Sequence, residues 1–179
     1  MRTVIAMALA GLALAGLAGT AVADVTPIHK TKEELQVMTE ALSAHESTTF
    51  PLIFPGAERV TPGAWGGLAA GLFDGMQFVG NQIRFTYQGD RYTSVYLEIF
   101  APGFRTDSPA QVCERTKCVS VEDDLLGGVV VVAEDEESRT QLVTSFRPNG
   151  EVVTAQAWRL GLGTELTAVA TDRAYTFTG

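Results

Sequence analysis

The sequence predicts an α+β fold: an antiparallel β-meander sheet with an N-terminal helix and a short C-terminal helix packed on it. Three observations carry this expectation. Residues 31–46 repeat apolar side chains at helical spacing, with Leu35, Met38 and Leu42 on one stripe. Residues 118–158 divide into extended segments at 118–122, 128–134, 139–147 and 151–158, separated by Gly, Asn and acidic turns. From Thr164 to about Arg173 the pattern is helical again. No repeat or low-complexity linker divides residues 24–179, which therefore make a single globular domain. A chain of that size buries roughly 70% of its extended surface, enough for a core without a metal.

Each element has a local reason. Thr31 suits the cap of the first helix, and Glu33 and Glu34 suit its positive first turn. The two prolines of Phe50-Pro51-Leu52-Ile53-Phe54-Pro55 favour an extended segment entering the sheet at an edge. Thr61-Pro62 reads as the start of a small-residue helix with Trp65, Leu68 and Leu72 on one side. Gly80-Asn81 reads as a two-residue hairpin loop that pairs Phe78 with Ile83 and Met76 with Phe85.

Around Gly89-Asp90 an odd loop with a bulge sets Phe85 against Val95 and Ile83 against Leu97, since an even loop would mix the faces. Asn149-Gly150 is the strongest hairpin signal. As a two-residue loop it pairs Phe146 with Val153, Thr144 with Ala155 and Leu142 with Ala157 on the inner face. Val129 to Val132 is a continuous apolar run, hence a strand buried on both faces, with the helix at 31–46 covering one of them.

The first 23 residues have the three parts of a secretory signal. Arg2 supplies the charged start, Val4 through Ala18 the apolar run, and Ala21-Val22-Ala23 the cleavage site. Cleavage between Ala23 and Asp24 places the mature protein in the secreted or periplasmic, cell-envelope space, with no later membrane span. The first cysteine is Cys113, so no lipid is attached at the new N-terminus. Cys113 and Cys118 suit the oxidising compartment. The spacing C-E-R-T-K-C puts them at the ends of a four-residue turn, where facing hairpin residues bridge. Redox motifs hold two residues between the cysteines, so this bond reads as structural.

Composition removes several classes of function. With 13 Lys and Arg against 21 Asp and Glu, the charge is −8, which argues against nucleic acids and anionic membranes as partners. His29 and His45 are the only histidines, and no G-x-S-x-G elbow accompanies them. His45 suits a role at the last carbonyls of its helix. The acidic runs Glu122 to Asp124 and Glu134 to Glu137 fall at opposite ends of one strand, about 17 Å apart, and cannot share a cation. The run Gly63 to Gly71 lacks the lysine and spacing of a phosphate loop. No catalytic residue, metal ligand or cofactor is therefore assigned. The suggestive surface is the outer face of the 82–98 hairpin, with Arg84, Gln88, Tyr92, Ser94, Tyr96 and Glu98 as candidate binding residues. A purely structural use of that face would lay Arg84 over Tyr96 as a cation–π pair.

Cys113 to Cys118, the strand Thr140 to Phe146, the turn Arg147-Pro148-Asn149-Gly150, Val152 to Trp158 and Leu166 to Ala170 carry a resemblance. Over residues 112–175 the chain resembles uncharacterised extracytoplasmic domains of actinobacterial exported proteins. The resemblance implies an envelope setting and a small sheet domain, and brings no catalytic residues. The leading expectation is a non-enzymatic binding module acting outside the cytoplasm on another protein or cell-envelope component. The alternatives are a secreted hydrolase using a carboxylate pair and a structural component without a specific ligand.

Overall fold

The computed structural model describes residues 28–67 and 71–179. The expected signal segment 1–23 and its expected cleavage site lie outside the described residues, as do Leu68, Ala69 and Ala70 of the glycine-rich run. Helix α1 (Lys32–Ile53) opens as its sequence dictates. The Thr31 hydroxyl accepts from the Glu34 N–H, and the Glu34 carboxylate accepts from the Thr31 N–H.

The helix then continues through Pro51, where the sequence predicts extended chain. Pro51 sits exposed in the last turn, so the hydrogen bond it cannot donate leaves a carbonyl near water. The inward stripe Leu35, Thr39, Leu42, Glu46, Phe50 continues unbroken past it. Phe50 stacks on Phe54 at 5.4 Å, and the Phe54 ring lies 4.9 Å from that of Phe85. Burial of these rings favours one more helical turn over an edge strand.

The remaining elements are β1 (Glu58–Thr61), β2 (Phe78–Tyr87), β3 (Asp90–Phe100), α2 (Pro109–Arg115), β4 (Lys117–Asp123), β5 (Val129–Asp135), β6 (Thr140–Phe146), β7 (Val152–Ala157) and α3 (Gly163–Thr171). The strands form one antiparallel sheet in the order β1-β2-β3-β7-β6-β5-β4. The four meander strands match the expected segments closely. An α+β fold with an N-terminal and a short C-terminal helix on an antiparallel sheet is thus correct.

The turns are where expectation and structure part. Gly80 and Asn81 are not a loop but the middle of β2. The second hairpin turns at Gln88-Gly89, both at positive φ (50° and 83°), which is the mirror-image turn that suits sheet twist. A bulge between Phe85 and Tyr87 then sets Ile83 opposite Val95 and Phe85 opposite Thr93, two residues from the expected register but on the same faces.

At Asn149-Gly150 the loop is one residue longer than expected. The Gly150 N–H donates to the Arg147 carbonyl, the Arg147 N–H donates to the Glu151 carbonyl, and Gly150 takes φ 84°. This turn-plus-bulge pairs Phe146 with Val152 and Val143 with Ala155. Val143, not Leu142 or Thr144, therefore faces the helices, because one extra residue exchanges the faces of a strand.

Thr61 to Trp65 is not helical either. Thr61 ends β1, and Gly66 pairs with Gly80 through two backbone hydrogen bonds of 3.0 and 2.8 Å. A side chain at Gly63 would sit 2.7 Å from the Gln82 carbonyl oxygen, so the glycines let this segment lie against β2.

Helices α1 and α3 cover one face of the sheet. Ile83, Phe85, Val95, Leu97, Val153, Ala155 and Val143 meet Leu35, Phe50, Phe54, Leu166 and Val169 there. The C-terminal tail closes the same core through Tyr175 and Phe177. It is tied down by a buried ion pair, Arg147 to Glu151 at 3.1 Å. Arg147 also donates to the carbonyls of Ala170, Asp172 and Tyr175. Glu151 accepts from the N–H groups of Phe177 and Thr178 and from the hydroxyls of Thr176 and Thr178. Burial alone would raise the Glu151 pKa, yet these donors bring it below the ordinary carboxylate value.

Cys113 and Cys118 form the expected disulfide, but it joins α2 to β4 rather than closing a hairpin. Helix α2 itself has a capping box, Ser108 with Gln111, and Pro109 in its first turn. Among the described residues no helix is long and apolar enough to cross a membrane.

Candidate functional site

The second face of the sheet is built from the alternate residues of the same strands; over β5 and β6 it carries Val131, Ala133 and Leu142, and over β2, β3 and β7 it carries a polar strip. The loop after β3 covers one end of it, with Phe104 stacked beside Phe78 and Phe100 and the Arg105 guanidinium over the Phe100 ring. Helix α2 contacts β4 and β5 at the far side. Between these covers a strip runs across β2, β3 and β7. Ser94 stands opposite Arg84, Tyr96 opposite Gln82, and Glu98 opposite Gly80. On the other flank Gln156 stands opposite Tyr96 and Thr154 opposite Glu98.

Hydrogen bonds hold this strip in place. The Arg84 guanidinium donates to the Gln82 side-chain carbonyl at 2.8 Å, and the Gln82 amide donates to the Ser94 hydroxyl at 3.3 Å. The Thr154 hydroxyl donates to the Glu98 carboxylate at 3.1 Å. Tyr96 lies over Gly80: a side chain at Gly80 would sit 2.8 Å from the Tyr96 hydroxyl oxygen. That explains a glycine in mid-strand, where it otherwise weakens the sheet. Burial raises the Tyr96 pKa, and the neighbouring Glu98 carboxylate adds to it, so the phenol keeps its proton at neutral pH.

Four of the six residues singled out from the sequence, Arg84, Ser94, Tyr96 and Glu98, thus share one continuous face. Tyr92 stands beyond them, 91% exposed near the hairpin tip. Gln88 is apart from them. It lies in the turn, and its side-chain carbonyl accepts from Arg159 at 2.6 Å. The expected stacking of Arg84 on Tyr96 is replaced by the Arg84–Gln82 bond. The cation–π pairs among the described residues are Lys30–Phe177, Arg105–Phe100 and Arg159–Tyr87. Sequence reasoning missed Gln82, Thr154 and Gln156. The first was hidden by reading Gly80-Asn81 as a loop, the other two by the pairing of β7 with β3, a strand order that no local pattern shows.

Other reactive groups are held in structural contacts. His29 meets the Gly75 carbonyl at 3.0 Å. His45 lies inside α1 rather than at its end, and its Nε2 is 2.7 Å from the Asp172 carboxylate, with Tyr175 edge-on at 5.2 Å. Glu46 is fully buried and accepts from the Asn81 amide at 2.8 Å. Burial pushes its pKa up to about 8, against the opposing effect of Asn81. Asp124 pairs with Arg173, and Glu136 with Lys117. Among the described residues no group of three His, Cys, Asp or Glu side chains is placed to hold a metal ion. The chain matches no family model, no curated protein and no solved structure.

Proposed function

We propose that this protein is an exported, non-enzymatic binding module that recognises another protein or cell-envelope component through the β2–β3–β7 strip. The observation that carries the reading is the asymmetry of one sheet. Its first face is consumed by α1, α3 and the tail, while its second presents ordered Arg, Tyr, Gln, Ser and Glu side chains between two covers. Aromatic and Arg groups already held in place lose little conformational freedom on binding, which favours recognition. The leader sequence and the disulfide support an oxidising, extracytoplasmic setting.

The test is affinity capture from native envelope and culture fluid, with the exported protein immobilised and its disulfide intact. A component enriched stoichiometrically should be lost when Tyr92→Ala and Tyr96→Ala are combined, with circular dichroism unchanged. Equal capture by the variant would refute the assignment of the face. Mass spectrometry of the same exported material should find Asp24 as the first residue.

A further inference from the structure

At the corner of the sheet where β1, β2 and β3 come together, a cavity of about 260 Å³ is lined by Arg59, Arg84 and Arg91, with the hydroxyl-bearing Thr61 and Thr86 and with Phe85. Three arginines line this one cavity in a chain whose net charge is −8. The ion pairs of the described residues use Arg105, Arg115, Lys117, Arg147, Arg173 and His45, and none uses these three. The carboxylates nearest in sequence form no ion pair with them. Glu58 makes no ion pair among the described residues, and the Asp90 carboxylate accepts the Tyr92 N–H at 2.9 Å.

The backbone brings the first of the three into place at a cost. β1 pairs Glu58 with Thr86 and Thr61 with Arg84, so one extra residue bulges between them. Arg59 sits in that bulge at φ 58°, a conformation that side chains other than Asn, Asp and Gly seldom adopt. The Thr61 hydroxyl braces the turn by donating to the Arg59 carbonyl at 3.1 Å. A bulge re-aims a side chain, and here it brings a third arginine into the lining of the cavity.

We propose that this corner is a binding site for a tetrahedral oxyanion, a phosphoryl or sulfuryl group. Each guanidinium presents a planar fork that matches two acceptor oxygens. A carboxylate has two oxygens in one plane and satisfies one or two forks. A tetrahedral group offers oxygens in several directions and serves three, with the threonine hydroxyls as further donors. The site rests on the binding-module reading only through Arg84, which belongs to both surfaces.

The test is isothermal titration of the exported protein with inorganic phosphate, sulfate, glycerol 3-phosphate and acetate at constant ionic strength. Phosphate and sulfate should bind saturably at one site, and acetate at least tenfold more weakly. Arg59→Asn, Arg84→Gln and Arg91→Gln should each weaken phosphate about tenfold, roughly one charge-assisted hydrogen bond. Arg139→Gln, on the turn between β5 and β6, should change nothing. Melting curves without phosphate show that each variant folds.

Tighter binding of glycerol 3-phosphate than of phosphate identifies an esterified group as the ligand, and the reverse order identifies the free ion. Absence of saturable binding, equal affinity for acetate, or an equal loss in Arg139→Gln overturns the proposal. Phosphate binding without any captured component would leave this site standing and remove the module reading. Capture lost with the tyrosines but no phosphate binding would do the opposite.

Discussion

The two faces of this sheet are built from the same strands, one residue out of phase, yet their polar groups are treated differently. On the helix-covered side the buried polar groups are enclosed and tied to neighbours. Arg147 meets Glu151 and three carbonyls, and Glu46 meets Asn81. On the other side Arg84, Gln82, Ser94 and Glu98, the last held by the buried Thr154, are fixed in position but remain within reach of solvent. An arginine surrounded by acceptors is a strut. One held by a single amide beside two other arginines is a contact awaiting an anion. The comparison teaches that the enclosed polar groups are committed to the fold, while the open ones are left available for the recognition proposed above.

The largest effect should follow from breaking an enclosed group. Glu151→Ala leaves Arg147 buried without its counter-charge and frees the tail, and should cost about 3–5 kcal/mol in urea unfolding. A loss below about 1 kcal/mol would place the pair outside the fold's stability. Next comes Glu46. Its pKa is about 8 when folded, against an ordinary value near 4.5. The folded chain therefore keeps a proton that the unfolded chain releases, and stability present below pH 4.5 is lost as pH rises towards 8. Glu46→Gln keeps a neutral group in the same volume and should flatten melting temperature between pH 5 and 8. An unchanged pH profile would contradict that assignment. The smallest effect should come from the open strip. Tyr92→Ala and Gln156→Ala should each alter unfolding free energy by no more than about 0.5 kcal/mol.

Much of the fold was legible because periodicity reports burial. The stripe Leu35, Met38, Leu42 gave α1 its start, the four meander segments appeared within a residue or two of their bounds, and the pairing of Cys113 with Cys118 followed from their spacing. What escaped was fixed by neighbours distant in sequence. Gly80-Asn81 has the chemistry of a turn, but Tyr96 lies over the glycine and the Asn81 amide reaches Glu46. Arg147-Pro148-Asn149-Gly150 was located as a turn, yet the backbone bond to Glu151 that lengthens the loop leaves no mark in a two-residue signal.

Helix α2 did carry a local signature, Ser108-Pro109-Ala110-Gln111, with a capping side chain, a proline start and a reciprocal Gln. The candidate face was half legible. Alternation placed Arg84, Ser94, Tyr96 and Glu98 together, since strand parity survives a two-residue error in register. The β7 flank and the arginine corner depend on strand order and on one bulge, which no short window contains.

The most direct test of the central claim is backbone hydrogen exchange of the protein, free and with its captured component bound. The account predicts that added protection concentrates in β2, β3 and β7 around Gln82, Tyr96 and Thr154, with α1 and α3 unchanged. Protection confined to the exposed side of α1, around Val37, would contradict it and assign recognition to the opposite side of the molecule.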